Sequence, residues 1–153
     1  MENNNWIYVG IFLDDKSKKL LKKLYPTPEG WTEYYDHMTV VFNDGTTIAD
    51  AVKSINEHNI GKKFKLKLVG PGISDKAYAV QVELPKGVVS ANKITHITLA
   101  TCPWANGKAV DSNYITNWSK VYDNIYLTGE MKVCVPLTNG ALMDIKVDEA
   151  NIY

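Results

Sequence analysis

Two stretches, Asp36-His37-Met38-Thr39-Val40-Val41-Phe42 and Thr95-His96-Ile97-Thr98-Leu99-Ala100, each set a His and a Thr two residues apart inside an apolar run. In an extended strand successive side chains point to opposite faces, so His37 and Thr39 share one face while Met38 and Val40 take the other. His96 with Thr98, and Ile97 with Leu99, repeat the arrangement. At a rise of roughly 3.3 Å per residue, the two polar side chains of a pair stand roughly 6–7 Å apart, a span that can grip one phosphate. The chain has three His in 153 residues. At that frequency chance supplies only roughly 0.2 His-x-Thr pairs. Two such pairs facing each other supply two imidazoles that exchange protons near neutral pH and two hydroxyls that donate to phosphate oxygens.

Working outward, Trp6 to Leu13 is β-branched and aromatic and predicts a central buried strand. Asp14 or Asp15 caps a helix whose Leu20, Leu21 and Leu24 form an apolar stripe beside a solvated lysine face. Pro26, Pro28 and Gly30 end it. After the first motif, Asn43-Asp44-Gly45 signals a turn and Thr47 a second helix cap, with His58 an exposed cap at the far end. Phe64, Leu66 and Leu68 alternate with lysines as a half-exposed strand, bulged at Gly70-Pro71-Gly72, which forms a long hairpin with Ala77 to Leu84. After the second motif a short helix is expected from Asp111 to Tyr122. A closing hairpin is expected from Lys132 to Leu137 and Ala141 to Val147, through Thr138-Asn139-Gly140. No linker or solenoid repeat divides the chain, so residues 1–153 read as a single α+β domain of two related lobes meeting at a cleft.

Lys and acidic residues balance at 17 each and no Arg is present. A neutral chain has no global field to draw in duplex nucleic acid, and without guanidinium forks any phosphate must be held by His, Thr, Tyr, Lys or backbone N–H. The two Cys make no disulfide framework, and the first residues lack a signal-peptide pattern. No apolar run reaches the roughly 18 residues of a membrane span. A cytoplasmic, monomeric protein without metal or cofactor is the expectation. Asp36 with His37 and His96 would need another converging ligand to hold zinc, and on a strand Asp36 points away from His37.

The paired motifs His37-Met38-Thr39-Val40 and His96-Ile97-Thr98-Leu99 resemble the two H-x-T/S-x motifs of the 2H phosphoesterase superfamily. Tyr8-Val9-Gly10-Ile11-Phe12-Leu13, the Val69-Gly70 strand before Ala79 to Glu83, and Ser112-Asn113-Tyr114 resemble its LigT-like, cyclic-phosphodiesterase-like branch, associated with RNA repair ligases. The resemblance implies two antiparallel-sheet lobes with flanking helices, related by a pseudo-two-fold axis around a central cleft. It also implies metal-independent hydrolysis of phosphodiesters, with His37 and His96 as acid and base and Thr39 and Thr98 on the non-bridging oxygens.

For the rest of the substrate, Trp104, Tyr114 and Tyr35 offer stacking faces and Lys108 a cation, each with a plain alternative in core packing or solvation. The favoured substrate is a small cyclic or 2′-linked nucleotide. The Asn-, Lys-, Ile- and Tyr-rich composition suits an AT-rich genome, and with neutral charge and no fused ligase or kinase domain it favours a viral enzyme. Such an enzyme would degrade host immune-signalling cyclic nucleotides in the host cytoplasm. The alternatives are an RNA-repair enzyme opening 2′,3′-cyclic phosphates at RNA ends, and a module that sequesters a nucleotide without cleaving it.

Overall fold

The computed structural model describes residues 6–136. Seven strands are present among them: β1 (Tyr8–Leu13), β2 (Thr32–Glu33), β3 (His37–Phe42), β4 (Lys63–Ile73), β5 (Ala77–Val82), β6 (His96–Thr101) and β7 (Tyr126–Cys134). They hydrogen-bond in the order β2-β6-β3-β1-β7-β4-β5, and β5 returns to pair with β6. The ring closes as an antiparallel barrel, so β5 and β6 leave no free edge between them. With helices α1 (Asp15–Leu24) and α2 (Thr47–Ile55), the fold is α+β.

Alternation decides which side chains fill the barrel. Met38 and Val40 from β3, Ile97 and Leu99 from β6, Val9 and Ile11 from β1, Leu66 and Leu68 from β4, and Leu127 and Met131 from β7 are all fully buried in one core. Each such side chain contributes about 1.5–3 kcal/mol through burial. The intervening residues, which include both His-x-Thr pairs, therefore occupy the other face. Helix α1 joins the same core through Leu21 and starts on Asp14, whose carboxylate accepts from Ser17 N–H at 2.8 Å.

Several expectations need correction. The cap of α2 is Thr46, one residue before the expected Thr47, because its hydroxyl accepts from Ala49 N–H at 3.2 Å. Asn56, not His58, closes that helix, and its amide side chain also ties Val89 of a distant loop. His58 lies exposed in the following 3₁₀ turn, Glu57–Asn59. The helix expected over 111–122 is a 3₁₀ helix, Ala109–Tyr114, followed by extended chain in which Trp118 bridges to Gly72. Trp118 lays its ring over Gly72 beside Ala77 and Ala79, so tertiary packing overrides the helical spacing. The bulge at Gly70 is present as a register shift against β5, and β4 continues through it to Ile73. Of the closing hairpin, β7 begins at Tyr126, earlier than expected. The turn Thr138-Asn139-Gly140 and the strand Ala141 to Val147 lie outside the described residues.

Gly70 tests the packing of the extended segment. A Cβ there would collide with the backbone carbonyl of Ser119, which cannot swing aside like a side chain. Gly70→Ala should lower stability by about 1–3 kcal/mol, the usual cost of overpacking, read as a drop in the urea midpoint with unchanged m.

Candidate active site

Strands β3 and β6 meet at one registered antiparallel pair, Met38 with Ile97. His37 and Thr39 flank one partner of this pair, His96 and Thr98 flank the other, and by strand alternation they take the face opposite to Met38 and Ile97. A local two-fold through that pair carries His37 onto His96 and Thr39 onto Thr98. The two motifs thus lie against each other, with His37 near enough to His96 to influence its charge.

Both strands leave the pairing as soon as it is made. The loop Ser90–Asn92 takes over the backbone of β3: Ala91 N–H and the Ser90 hydroxyl donate to Val40 O, and the Asn92 amide donates to Thr39 O. On the other side, Tyr34 and Tyr35 N–H donate to Leu99 O and Thr98 O of β6. Tyr35 then turns the chain with φ of 44°, a left-handed conformation rare for a bulky residue. Its hydroxyl donates to Tyr25 O at 2.6 Å, and its ring is buried in the core.

That turn redirects Asp36. Strand alternation predicts a carboxylate pointing away from His37, but Asp36 precedes β3 and accepts from His37 Nδ1–H at 3.0 Å. Lys18 of α1 reaches the other carboxylate oxygen at 3.2 Å. The bond to His37 holds the Asp36 carboxyl below the usual carboxylate range, so it is ionised at neutral pH. This carboxylate presents His37 with Nε2 as its exchanging nitrogen. The His37 ring packs against both Tyr8 and Phe12, with centroids 5.1 and 5.0 Å away, and those two rings are 5.9 Å from each other. Gly10 sits between those two aromatics, and a Cβ there would press on His37 Cδ2 at 3.3 Å. Burial and the neighbouring Cys134 raise the Tyr8 pKa far above its ordinary value, so its hydroxyl stays protonated.

His96 is held differently. Its Nδ1 lies 2.9 Å from Ile94 O, an acceptor, so Nδ1 carries the proton and Nε2 keeps a lone pair. Nε2 is buried and has no hydrogen-bond partner among the described residues. Burial lowers the His96 pKa, and His37 adds to the effect. His96 opens onto a pocket of about 180 Å³ walled by Ile94, Ile115 and Trp118, with Asn92, Lys93 and Asn113 as polar lining. Thr98 shares a 2.9 Å hydrogen bond with Ser112; where Ser112 donates, the Thr98 proton is left for a ligand oxygen.

The remaining candidates separate. Tyr114 is exposed next to Ser112 and Asn113 but does not line this pocket. Trp104 lies beyond the far end of β6, its exposed ring over Gly30, away from His96. Lys108 is exposed in the loop before the 3₁₀ helix and is not a pocket residue. Tyr35 belongs to the core, where it shapes the turn before the first motif, not to a ligand surface. Sequence reasoning missed Lys93, Asn92 and Ser112, whose places depend on loops crossing the strands. Among the described residues no three or more His, Cys, Asp or Glu side chains group as metal ligands, and no helix is long and apolar enough to cross a membrane.

No family model matches the chain, and no curated protein matches it. Among solved structures it is similar to the crystal structure of a fungal RNA kinase, with a TM-score of 0.56 and 16% identity. The match covers 88% of this chain and 45% of the kinase chain, so this protein spans less than half its length. The likeness is one of fold.

The neutral, buried state of His96 is testable through stability. The unfolded chain binds a proton on this imidazole near pH 6.5 and the folded chain only at lower pH, so the proton favours unfolding. Stability contributed by neutral His96 is fully present above about 6.5 and falls as pH drops toward the lowered pKa. His96→Gln should flatten the decline of Tm in that window relative to the parent protein.

Proposed function

We propose that this protein is a phosphoric diester hydrolase of the 2H phosphoesterase kind, working by two-histidine acid–base catalysis without a metal. The observation that carries this reading is the antiparallel pairing of Met38 with Ile97, which lays the two His-x-Thr segments against each other in a local two-fold relation. The two-lobed, pseudo-symmetric architecture of that superfamily belongs to the same proposal, supported by the local two-fold between the motifs.

The surroundings of the two rings divide the labour. His96, neutral with a lone pair on Nε2, takes a proton from the attacking water or ribose hydroxyl. The oxygen so activated bonds to phosphorus as the bond to the leaving ribose oxygen breaks. His37 delivers its Nε2 proton to that leaving oxygen. The ionised Asp36 carboxylate fixes the tautomer of His37 and complements the imidazolium form it passes through in each cycle. Thr39 and Thr98 donate to the non-bridging oxygens, where charge develops.

The proposed substrate is a small nucleotide with a cyclic or 2′-linked phosphodiester, immune-signalling cyclic nucleotides of a host included. A second reading, opening of 2′,3′-cyclic phosphates at RNA ends, is favoured by the fold likeness to an RNA kinase.

Purified protein incubated in chelator with 2′,3′-cyclic mononucleotides, cyclic di- and trinucleotides, 2′-5′ oligoadenylate and cyclic-ended RNA, with products read by mass spectrometry, tests both. Turnover is expected to persist in chelator and to fall by roughly 10²–10⁴ in kcat for His37→Ala or His96→Ala. Near-parental turnover in either variant would overturn the assignment, and ligand recovered intact throughout would point to a sequestering module. The kcat/KM profile should be bell-shaped. Its acid limb should lie below pH 6.5, because His96 must be unprotonated to act and burial lowers its pKa.

A further inference from the structure

The pocket beside His96 carries more chemistry than a phosphate site uses. Two segments wall it: Ala91 to Ile94, which leads into β6, and Ser112 to Trp118, from the 3₁₀ helix and the chain after it. Its volume of about 180 Å³ is below the roughly 300–1,000 Å³ of pockets that enclose a whole drug-sized ligand. It therefore takes one ring system and leaves the rest of a ligand outside. Ser112 on this wall shares its hydrogen bond with Thr98, and the Nε2 of His96 is buried and unpartnered among the described residues. A phosphate held by His96 and Thr98 thus stands at the edge of the pocket.

Ile94, Ile115 and Trp118 give the apolar walls. Trp118 donates its indole N–H to Ile115 O at 3.0 Å and lies over Gly72, so it offers the pocket carbon surface and no hydrogen bond. Asn92 is fixed twice: its backbone N–H donates to the Ser90 hydroxyl at 3.1 Å, and its side-chain amide donates to Thr39 O at 3.2 Å. With the amide nitrogen so oriented, Oδ1 is left as an acceptor. Asn113 is exposed and its side chain has no hydrogen-bond partner among the described residues, so its amide can turn to donate or accept. Apolar walls with a few placed polar groups suit a planar heterocycle with a hydrogen-bonding edge, and a fixed acceptor asks that edge for an N–H donor. A phosphate suits the interior less well, because among the described lining residues Lys93 is the one permanent cation and it is exposed.

We infer that this pocket binds the nucleobase of the nucleotide that carries the scissile phosphate, and that Asn92 and Asn113 select a base with an exocyclic amine, such as adenine. This rests on the two-histidine reading for the place of the phosphate. Trp118 supplies the apolar contact and Asn92 the fixed acceptor for the amine. A cyclic nucleotide and an RNA end both present such a base, so selection by base is independent of which of the two is cleaved.

Binding tests the inference without requiring turnover. The full-length protein is titrated calorimetrically with three monoesters that have no diester bond to cleave: adenosine 3′-phosphate, purine riboside 3′-phosphate, which lacks only the amine, and an abasic ribose 3-phosphate. Adenosine 3′-phosphate should bind roughly tenfold tighter than the abasic probe. Loss of the amine should weaken binding roughly threefold or more. Trp118→Leu and Asn113→Ala should each weaken the adenosine probe roughly threefold or more and leave the abasic Kd within about twofold. Asn113 is exposed, so its variant keeps the test open where Trp118→Leu fails to fold, and Trp104→Leu, an exposed tryptophan away from His96, should change nothing. Equal affinity for the adenosine and abasic probes, no binding of either, or an equal loss on both in the pocket variants would overturn the base pocket. Equal affinity for adenosine and purine riboside would overturn selection by the amine. His37→Ala should weaken all three probes by a common factor; a base-dependent gain without that common factor would sink the two-histidine reading and leave the pocket standing.

Discussion

A single crossing of two strands, Met38 against Ile97, organises both the barrel and its candidate active site. It joins β3 to β6 and so completes the ring, and its antiparallel sense sets the motifs in two-fold relation. Slipping either strand by one residue would move all of its polar groups into the core and its Met, Val, Ile or Leu side chains out. The apolar burial of Met38, Val40, Ile97 and Leu99 therefore protects the register on which the polar face depends. Because the pairing is so brief, the strands also part on both sides of it, and neighbouring loops and aromatics reach the polar groups.

The polar face is itself buried, and this shapes the two histidines differently. A desolvated imidazole needs a defined partner for each nitrogen or bears the cost of lacking one. His37 meets a carboxylate anchored by Lys18 of α1. His96 meets a neutral backbone carbonyl, and its other nitrogen is unsatisfied among the described residues. Two rings equivalent by sequence and by local symmetry are thus unequal electrostatically, as the proposed acid–base division requires. The inequality comes from what precedes each strand. Before His37 the chain turns through Tyr35 in a left-handed conformation, whereas before His96 it runs in from the loop at Ile94 and Thr95.

Much of the framework is legible in the residues themselves. The strands around both motifs, the lysine-faced first helix, and the bulged hairpin of β4 and β5 follow from periodicity and turn chemistry, which act over neighbouring residues. The helix expected after residue 111 does not form because Trp118 finds an alternative in the hollow above Gly72, a partner far back along the chain. Asp36 escapes the alternation rule because that rule holds only inside a strand, and the irregular backbone at Tyr35 ends it one residue too soon. Trp104 and Tyr35 are close to the motifs in sequence and yet do not line the pocket at His96. Along a strand, nearness in sequence becomes distance, and beside a core it becomes burial.

Which side chains can share a face is written into the chain, since a period of two is a property of one extended strand and needs no partner. The sequence therefore specifies two His-x-Thr half-sites and the apolar faces that bury beneath them. That the halves meet and which nitrogen of each histidine is held are matters of tertiary structure. Those outcomes depend on the registers between strands, which are set by the closure of the whole barrel and the shape of its core. No local stretch of residues contains that information.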